Sequence, residues 1–336
     1  MVTAADIKRF ALLSYSTSDV ADWITGWFDD RDLQFVVNQC TTEDQAIETA
    51  KGAQVIWIHG SGRCLTENAL AAMPDVVAII RSGSGTNDVP VDAATQSGII
   101  VCNTPWATAQ AVSDLTVGFI IIADRRIAWH DRRMRENKWT EMDNLPIGAI
   151  PGKTVGLVGF GYIAKAVAKK LSGFDVNLLA TDPLVDADEM AKLNVTKCEL
   201  DHLLTESDFV SLHCPLNDHT FHLINADALA RMKPTAKLIN TCRGPVVDEP
   251  ALIHALRNGV IAEAVLDVYE TEPPAPDNPL LKMENVTLTP HLGSHVQDFL
   301  YHFQRASLEI ADDLIHGRWP QSVVNRAHVK PIVAWK

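Results

Sequence analysis

The chain has few cysteines and no long apolar run. Its six cysteines, at positions 40, 64, 102, 198, 214 and 242, are spread over 336 residues without CxxC spacing. This is typical of reduced thiols in a cytoplasmic protein, and it gives no zinc motif. No basic N-terminal segment leads into an apolar core, and no apolar stretch approaches the roughly 18 residues of a membrane span. We therefore expect a cytoplasmic protein with no membrane partner.

Basic residues are also scarce. Lysine and arginine number 29 against 42 acidic residues, which gives a net charge of −13. That charge would repel nucleic acids and anionic lipid surfaces, so we expect neither as a partner. It does not exclude a small anionic substrate, because a few arginines can be concentrated in one site. The chain also exceeds the about 250 to 300 residues at which a single core stops growing, so two domains are predicted.

Short apolar runs alternate with helix-like segments along two parts of the chain. In the first part the runs cover residues 10–13, 55–58, 77–80 and 99–101. In the second part they cover residues 154–158, 176–181, 209–213, 237–240, 262–268 and 286–289. This rhythm predicts an α/β fold of parallel sheets with crossover helices, and the second set of runs predicts a six-stranded, doubly wound sheet. A long helix over residues 107–137 and a final helix over residues 294–317 complete the pattern.

The most informative motif is Gly159-Phe-Gly-Tyr-Ile-Ala164, which follows the predicted strand 154–158 and opens a helix. Gly159 and Gly161 let the turn close and let its backbone approach a pyrophosphate, whose charge a helix N-terminus favours. Asp182 stands twenty-one positions after Gly161, where a carboxylate can bind ribose hydroxyls. No basic residue stands near Asp182 to meet a 2′-phosphate, so the motif predicts NAD. The alternative is an ordinary strand-to-helix turn, with Asp182 as a turn residue before a proline.

Three further residues are candidates for catalysis, namely Arg243, Glu272 and His291. Each follows the C-terminal end of a predicted strand, where open α/β sheets bind their ligands. Reduction of a keto acid needs a cation for the carboxylate and the developing oxyanion, a proton donor, and a group that keeps the donor protonated. Arginine, histidine and glutamate suit these roles in that order, because a neighbouring carboxylate favours an imidazolium. Taken singly, each residue has a structural alternative: a salt-bridge arginine, a loop histidine bonded to backbone, and a solvated acid.

Six motifs occur in a fixed order within residues 50–326. They are Gly83-Ser-Gly-Thr-Asn-Asp-Val89, Gly152-Lys-Thr-Val-Gly-Leu-Val-Gly-Phe-Gly161, His213-Cys-Pro-Leu216 with Thr220, Asn240-Thr-Cys-Arg-Gly244, Leu266-Asp-Val268 and Thr289-Pro-His-Leu-Gly293. With these motifs the chain resembles the D-isomer-specific 2-hydroxyacid dehydrogenase family, which includes D-lactate, D-glycerate, phosphoglycerate and formate dehydrogenases. Agreement by chance at that many ordered positions is negligible.

The resemblance implies a role for each matching residue. Arg243 would bind and polarise the substrate, His291 would be the acid and base, and Glu272 would be its partner. The backbone amides of Ser84 and Gly85 would bind the substrate carboxylate. The residues implied to bind NAD are Gly159, Gly161, Tyr162 and Ile163 at the pyrophosphate, Asp182 at the adenosine ribose, Asp267 at the nicotinamide carboxamide, and His213, Pro215, Thr220, Thr241, Cys242 and Gly293 along the cofactor. Two of these have structural alternatives, a core histidine for His213 and a capping acid for Asp267.

The resemblance also implies the domain organisation. It predicts two Rossmann-like domains, with a doubly wound NAD-binding domain over residues 103–294 inserted in a flavodoxin-like substrate domain of residues 1–102 and 295–336. A hinge would close to exclude water from hydride transfer. The long helix after Pro105 would form a homodimer, and the small-molecule partner would be a 2-keto or 2-hydroxy acid.

Two departures from the family pattern bear on the substrate pose. Asn87-Asp88 precedes Val89 and Pro90 where the family usually has Asp-Asn, and Ser113-Asp114 stands where it usually has Ala-Glu. In addition, the segment His59-Gly-Ser-Gly-Arg63 is polar and follows a predicted strand. It suits a hydroxylated or second anionic group at the far end of the substrate. The alternative for Arg63 is a solvated surface residue.

Three other functions stay open on the sequence. A group of NAD-sensing transcriptional corepressors shares the fold, although this chain lacks the basic or disordered extensions that such a role would favour. A second is oxidation of phosphite or another small acid; formate is disfavoured, because formate enzymes of the family typically carry glutamine where Glu272 stands. A third is a metal site on His291 and His295, which are spaced like a ligand pair but lie on a loop without an intervening glutamate.

Overall fold

The computed structural model describes residues 3–60, 62–139 and 147–336. Contacts divide the chain into two compact units. The split unit consists of Met1–Thr108 and Gln297–Lys336, and the central unit consists of Ala109–Val296. The sequence prediction placed the two boundaries after residues 102 and 294.

The strands in chain order are β1 (Arg9–Leu12), β2 (Gln34–Val37), β3 (Val55–His59), β4 (Ala78–Ser82), β5 (Ile100–Asn103), β6 (Thr154–Val158), β7 (Asn177–Thr181), β8 (Val195–Lys197), β9 (Phe209–Leu212), β10 (Lys237–Asn240), β11 (Glu263–Leu266) and β12 (Val286–Leu288). The helices are α1 (Asp22–Asp29), α2 (Glu43–Thr49), α3 (Glu67–Ala71), α4 (Val91–Gln96), α5 (Pro105–Arg125), α6 (Ile127–Arg135), α7 (Tyr162–Leu171), α8 (Ala187–Ala191), α9 (Leu200–Glu206), α10 (Ala226–Arg231), α11 (Glu249–Arg257) and α12 (Phe299–Ile315). Strands and helices alternate through most of the chain, as the mixed α/β prediction requires.

The described part of the split unit contains a five-stranded parallel sheet in the order β2-β1-β3-β4-β5. This is the strand order of flavodoxin-like doubly wound folds. The C-terminal segment returns to the edge strand β5, where the amide of Val324 donates to Val101 O at 2.8 Å. Asn325, which is 3% exposed, accepts a hydrogen bond from Val101 N at 3.0 Å and donates to Ile99 O at 2.9 Å. Both ends of the chain therefore build this unit.

The described part of the central unit contains a seven-stranded parallel sheet in the order β12-β11-β10-β9-β6-β7-β8. Read from β6, this is the doubly wound order of dinucleotide-binding domains with one more strand at the edge. The strand order reverses between β6 and β9, and ligands of such sheets bind at the carboxyl ends beside that point. The carboxyl ends are level across the sheet, as shown by the paired residues Val158–Thr181, Val158–Leu212, Leu212–Asn240, Asn240–Leu266 and Leu266–Leu288.

Alternate side chains of each strand enter two different cores, because both faces of each sheet are covered. Phe10 and Leu12 of β1 pack in one cluster, and Ala11 and Leu13 pack in the cluster on the opposite face. In the central sheet, a Cβ at Gly156 of β6 would lie 2.4 Å from a side chain of α9. Two-sided burial explains why the inner strands read as continuous apolar runs in the sequence.

The prediction missed two edge strands, β2 and β8. No residue of β2 is buried, and Val195 is the one buried residue of β8. Neither strand therefore has the continuous apolar run from which the inner strands were predicted. Six strands were predicted for the central sheet and seven are present in its described part. The seventh was missed because an edge strand pairs on one side only and needs less apolar surface.

The predicted single helix over residues 107–137 is two helices. Arg126 lies between α5 and α6 with a left-handed φ of 51°, and an L-residue in that conformation ends a right-handed helix. The final helix begins at Phe299 rather than at residue 294. Before it, the amide of His295 donates to Leu292 O at 2.8 Å and closes a tight turn.

Among the described helices, α5 is long and apolar enough to cross a membrane, with 21 residues and a mean hydropathy of 1.4. This corrects the expectation that no segment of the chain reaches that size. Core helices of soluble proteins meet the same criteria, and 44% of the most apolar window is buried within the protein. Its buried residues recur at the spacing of one packed helical face, namely Thr108, Ala109, Val112, Ser113, Thr116, Phe119, Ile120, Ala123 and Asp124. We interpret α5 as a packed helix.

Four charged side chains lie near the amino ends of the central strands. Lys153 precedes β6, Lys237 begins β10 and Glu263 begins β11. The fully buried Asp124 pairs with Lys153 and, at 3.0 Å, with Lys237. Burial raises the pKa of Glu263 to about 7, although the positive charge of Lys237 opposes the shift. Glu263 therefore exchanges its proton near neutral pH.

Replacing Glu263 with glutamine should stabilise the protein in alkaline buffer. The folded pKa lies above the ordinary value of 4.5, so the stability that the protonated carboxyl contributes is present below pH 4.5 and is lost as the pH rises through about 7. Glutamine does not ionise. In calorimetry, the melting temperature of Glu263→Gln should therefore be several degrees above that of the parent protein in alkaline buffer. At about pH 5 the two melting temperatures should be equal. The exposed Glu284→Gln is the control, and a lower alkaline melting temperature for Glu263→Gln would contradict the expectation.

Candidate active site

The turn after β6 has the geometry of a dinucleotide-binding loop. Gly159 has a φ of +90°, and a Cβ there would lie 2.8 Å from the amide nitrogen of Cys214, so glycine is required. A Cβ at Gly161 would meet no atom within 4 Å, which leaves open space where α7 begins at Tyr162. Ala164, at the third glycine position of the motif, is fully buried in the core. The turn therefore has the room and the helix N-terminus that a pyrophosphate requires.

Asp182 follows β7 and is partly exposed beside this turn. Its carboxylate accepts hydrogen bonds from Phe160 N at 2.7 Å and from Leu184 N at 2.8 Å. A carboxylate has about four acceptor positions. These two bonds therefore orient the group and leave it able to accept ribose hydroxyls, so the turn role and the ribose role are compatible.

His213 and Thr220 delimit the segment after β9. The amide of His213 donates to Val158 O at 2.7 Å, and its Nε2 pairs with Ser211 Oγ at 2.9 Å. Burial lowers the pKa of His213 to about 3, so the ring is neutral at physiological pH, and its buried Nδ1 has no partner among the described residues. Thr220 Oγ1 donates to Pro215 O at 2.6 Å and closes the turn. A buried ring nitrogen without a protein partner, at the carboxyl edge of the sheet, fits contact with a cofactor.

Asn240 braces the turn that carries Arg243. It ends β10 and is 1% exposed; its Nδ2 donates to Arg243 O at 2.9 Å, and its Oδ1 accepts from Cys242 N at 3.0 Å. Thr241 in the same turn shares a hydrogen bond with Thr116 of α5, with 3.2 Å between the hydroxyl oxygens. Asn240 belongs to one of the six sequence motifs, but no role was predicted for it. The available signal was a polar residue at the end of an otherwise apolar strand.

The structure brings His291 and Glu272 together. His291 Nδ1 lies 2.7 Å from Glu272 Oε2, and the amide of Tyr269 donates to Glu272 Oε1 at 3.1 Å. Burial raises the pKa of Glu272, but the hydrogen bonds from His291 and Tyr269 and the charge of Arg243 lower it more, so the pKa lies below its ordinary value. Glu272 is therefore ionised at physiological pH. Because Nδ1 of His291 is engaged, Nε2 is the ring nitrogen that can face a substrate.

Arg243 lies within electrostatic reach of this pair. Its positive charge helps to lower the pKa of Glu272, and its Nη1 donates to Cys242 O at 2.6 Å. The guanidinium has five N–H donors in a planar fork. One donor anchors the side chain to its own turn, and the others are suited to a carboxylate or a carbonyl oxygen.

Asp267 holds the loop that carries His291. The carboxylate is 1% exposed; its Oδ1 accepts from Thr289 Oγ1 at 2.5 Å and from Leu292 N at 2.9 Å, and its Oδ2 accepts from Gly293 N at 2.9 Å. The backbone carbonyl of Asp267 accepts from His291 N at 2.8 Å. His291 has a φ of 51°, a left-handed conformation that is unusual outside glycine. These bonds support the capping alternative for Asp267 and make it a positioning residue for the histidine.

Ser84 and Gly85 follow β4 in the split unit. Ser84 O accepts a hydrogen bond from Asn103 Nδ2 at 2.7 Å. The preceding residue, Gly83, has a φ of +117°, and its amide donates to Thr104 Oγ1 at 2.7 Å. The loop is therefore fixed to residues at the end of β5.

The two departures from the family pattern have structural partners. Asp88 pairs with Arg81 Nε at 3.1 Å and accepts from Gly62 N at 2.7 Å. Asp114 pairs with Lys170 Nζ at 2.7 Å. Each acid therefore contributes to an ion pair within its own unit.

His59 lies among aromatic rings at the end of β3. Its ring centroid is 5.2 Å from that of Tyr15 and 5.2 Å from that of Phe303. Burial, assisted by a nearby arginine, lowers the pKa of His59 to about 4, so the ring is neutral at physiological pH. Arg63 is exposed, and Ser61 lies outside the described residues. Within the predicted polar segment, His59 therefore offers neutral hydrogen-bonding atoms rather than a cation.

The geometry of the central unit defines the class of protein. Within the described residues, no group of three or more His, Cys, Asp and Glu side chains is placed to hold a metal ion. His291 and His295 therefore have no third side chain beside them that would complete a metal site among these residues. A glycine turn at a helix N-terminus, an acid after the next strand and a histidine–carboxylate pair stand at the same edge of a doubly wound sheet. This arrangement is that of a Rossmann-type dehydrogenase that uses a nicotinamide cofactor.

Comparisons with known proteins agree with this class. Residues 117–293 match the family model described as D-isomer specific 2-hydroxyacid dehydrogenase, NAD binding domain. A glyoxylate reductase of Thermofilum pendens is 41% identical over 263 residues, which cover 77% of this chain and 78% of that protein. A hydroxypyruvate reductase of Thermotoga maritima is 36% identical over 261 residues, covering 77% and 84%. A D-isomer specific 2-hydroxyacid dehydrogenase from Lactobacillus delbrueckii ssp. bulgaricus, solved in its NAD-complexed form, superposes with a TM-score of 0.77 at 27% identity, covering 95% of this chain and 100% of that one.

The chain belongs to the D-isomer-specific 2-hydroxyacid dehydrogenase family. It is an oxidoreductase that uses NAD, which confirms the predicted family, enzyme class, cofactor and α/β fold of Rossmann type.

Asp182→Ala should weaken NADH binding by about tenfold, because the ribose loses a charge-assisted hydrogen bond. It should also narrow the preference for NADH over NADPH, since the carboxylate no longer repels a 2′-phosphate. The ratio of kcat/KM for the two cofactors is the decisive measurement, because general damage to the turn would lower both values together. Asp188→Ala, an exposed acid on the neighbouring α8, is the matched control. An unchanged cofactor ratio in Asp182→Ala would rule out the ribose role.

Proposed function

We propose that this dehydrogenase reduces a small 2-keto acid, glyoxylate or hydroxypyruvate in class, to the 2-hydroxy acid, with D configuration where the product is chiral. The observation that carries the proposal is the 2.7 Å contact between His291 Nδ1 and Glu272 Oε2 within reach of Arg243. The names of the relatives, glyoxylate reductase at 41% identity and hydroxypyruvate reductase at 36%, support the substrate class.

His291 acts as the acid in reduction and as the base in the reverse direction. NADH, when bound, supplies the hydride for the carbonyl carbon. The ionised Glu272 engages His291 Nδ1 at 2.7 Å and so directs Nε2 to the substrate, where it donates a proton to the carbonyl oxygen as negative charge develops there. Arg243 binds the substrate and stabilises the same developing charge.

The remaining site residues bind and orient the two reactants. The backbone amides of Ser84 and Gly85 bind the substrate carboxylate. Their loop is held in place because Asn103 donates a hydrogen bond to Ser84 O and Thr104 accepts one from Gly83 N. The split unit therefore has the substrate role and the central unit the cofactor role. The residues proposed to hold NAD are Gly159, Gly161, Tyr162, Ile163, Asp182, His213, Pro215, Thr220, Thr241, Cys242, Asp267 and Gly293.

The setting of His59 narrows the substrate class further. A neutral imidazole among Tyr15 and Phe303 can hydrogen bond a hydroxyl but offers no charge to a second carboxylate. This favours keto acids with a hydrogen or a hydroxymethyl group beyond the carbonyl over dicarboxylic keto acids.

We also propose a cytoplasmic homodimer formed through α5 and α6. Large apolar side chains stay exposed on and just after α6, with Ile127 and Met134 each 47% exposed and Trp139, beyond the end of α6, 79% exposed. Exposed apolar groups in one place are typical of a protein–protein interface. Light scattering at twice the mass of the chain would support the dimer, and a monomer mass would refute it.

Assays with a panel of keto acids and both cofactors test the proposed function directly. NADH oxidation should be fastest with glyoxylate or hydroxypyruvate, slower with pyruvate and slowest with oxaloacetate, and NADPH should be the poorer cofactor. NADH binding without turnover of any keto acid would instead favour a sensor role. Phosphite-dependent NAD reduction in the same panel would favour oxidation of an inorganic acid.

His291→Ala should lower kcat by about 100-fold or more, because general acid catalysis typically contributes that much. NADH affinity, measured by fluorescence, should stay within about twofold, because the imidazole acts on the substrate. Glu272→Gln should keep part of the activity but lower kcat, since the carboxylate that orients the imidazole through Nδ1 is gone. His295→Ala, in the same loop region, is the control, and its kcat and NADH affinity should be close to those of the parent protein. Near-native kcat in His291→Ala would defeat the assignment.

A further inference from the structure

Two of the six cysteines, Cys214 and Cys242, face each other in the central unit. Cys214 stands two residues beyond Leu212 of β9, Cys242 stands two residues beyond Asn240 of β10, and Leu212 pairs with Asn240 in the sheet. Adjacent strands are about 4.8 Å apart where β9 and β10 end, and a disulfide spans about 4.4 to 6.8 Å between Cα atoms. The two sulfurs lie close enough for each thiol to shift the pKa of the other. Little movement is therefore needed to join them.

This thiol pair connects the cofactor turn with the substrate arginine. The backbone of Cys214 packs so closely on Gly159 that a Cβ there would lie 2.8 Å from the Cys214 nitrogen. Cys242 directly precedes Arg243, whose Nη1 donates to Cys242 O at 2.6 Å. Cys242 Sγ also lies 3.1 Å from Asn240 Oδ1, in the bracing of that turn. A bond between the two sulfurs would thus act on both parts of the site at once.

The two thiols differ in reactivity. The hydrogen bond from Cys242 lowers the pKa of Cys214 despite its burial, whereas burial raises the pKa of Cys242. Burial also raises the pKa of the four other cysteines, at positions 40, 64, 102 and 198. The thiolate is the nucleophilic form of cysteine. Cys214 is therefore the thiol suited to attack an oxidant, with Cys242 beside it to resolve the product.

We propose that Cys214 and Cys242 form a redox-sensitive pair that a hydroperoxide oxidises to a disulfide, and that the disulfide reversibly blocks cofactor binding. The Cys214 thiolate attacks one peroxide oxygen, the O–O bond breaks, and the leaving hydroxide takes a proton to become water. The sulfur of Cys242 then attacks the resulting sulfenic acid, its proton leaves with the sulfenic hydroxyl as a second water, and the S–S bond forms. The two thiols lose two electrons, and hydrogen peroxide accepts them.

The effect on the site follows from the shortening of the sulfur–sulfur contact. A disulfide bond is about 2.05 Å long, so oxidation draws the segments after β9 and β10 together. Drawing Cys242 Sγ toward Cys214 also breaks its 3.1 Å contact with Asn240 Oδ1, which helps to brace the turn. Cys214 shifts against Gly159, and the pyrophosphate turn loses its shape. The proposal rests on the assigned cofactor site and adds regulation to the proposed function.

The test is to treat the purified full-length protein with hydrogen peroxide and to follow three properties separately. NADH binding by fluorescence should weaken at least about tenfold, turnover should fall with it, and dithiothreitol should restore both. Under non-reducing conditions, tryptic peptides 198–231 and 238–243 should become linked. Because peptide 198–231 also contains Cys198, the control Cys198→Ala should keep both the linkage and the loss of binding.

Cys214→Ala should bind NADH normally and resist peroxide, and Cys214→Ser serves if the alanine variant does not fold. An equal loss of NADH binding in wild type and Cys214→Ala would overturn the proposal, as would the absence of the linked peptide. A linked peptide with unchanged NADH binding would also overturn it. Because the peptide and binding measurements need no substrate, failure of the 2-keto acid assignment would leave both of them readable.

Discussion

The buried carboxylate of Asp267 is the constraint on which the candidate active site depends. Burying a charge is costly unless hydrogen bonds replace the lost water, and here Thr289, Leu292 and Gly293 supply them. A loop conformation without these hydrogen bonds would leave the buried carboxylate unpaired, so the observed conformation is strongly preferred. That conformation holds His291 at a φ of 51° and presents its Nδ1 to Glu272. The position of His291 is thus fixed by a neighbouring carboxylate rather than by contacts of the imidazole alone.

The central sheet separates two kinds of electrostatic environment. At its carboxyl edge, His291, Glu272 and Arg243 are partly exposed, so these side chains can meet a ligand. At its amino edge, the buried Asp124 is neutralised by Lys153 and Lys237. The first arrangement suits chemistry and the second suits packing. Both follow from parallel strands, which place all their carboxyl ends on one side.

Much of the central unit could be predicted from sequence because its inner strands are buried on both faces. Continuous apolar runs located the inner strands to within one or two residues, and polar residues just beyond their ends gave the three catalytic candidates. Features that depend on partners distant in sequence could not be predicted. No local pattern indicates that Asp88 accepts a hydrogen bond from the amide of Gly62, 26 residues before it. The edge strands β2 and β8 were missed because their stability comes from pairing with β1 and β7 rather than from apolar content.

The split unit has a consequence for synthesis on the ribosome. The last residues of the chain satisfy the backbone of β5, through Val324 and Asn325. The central unit is one continuous stretch and has all its strands before that tail is translated. All strands of the central sheet are therefore synthesised before the tail. Until the tail is synthesised, the side of β5 that faces away from β4 lacks its hydrogen bonds to Val324 and Asn325.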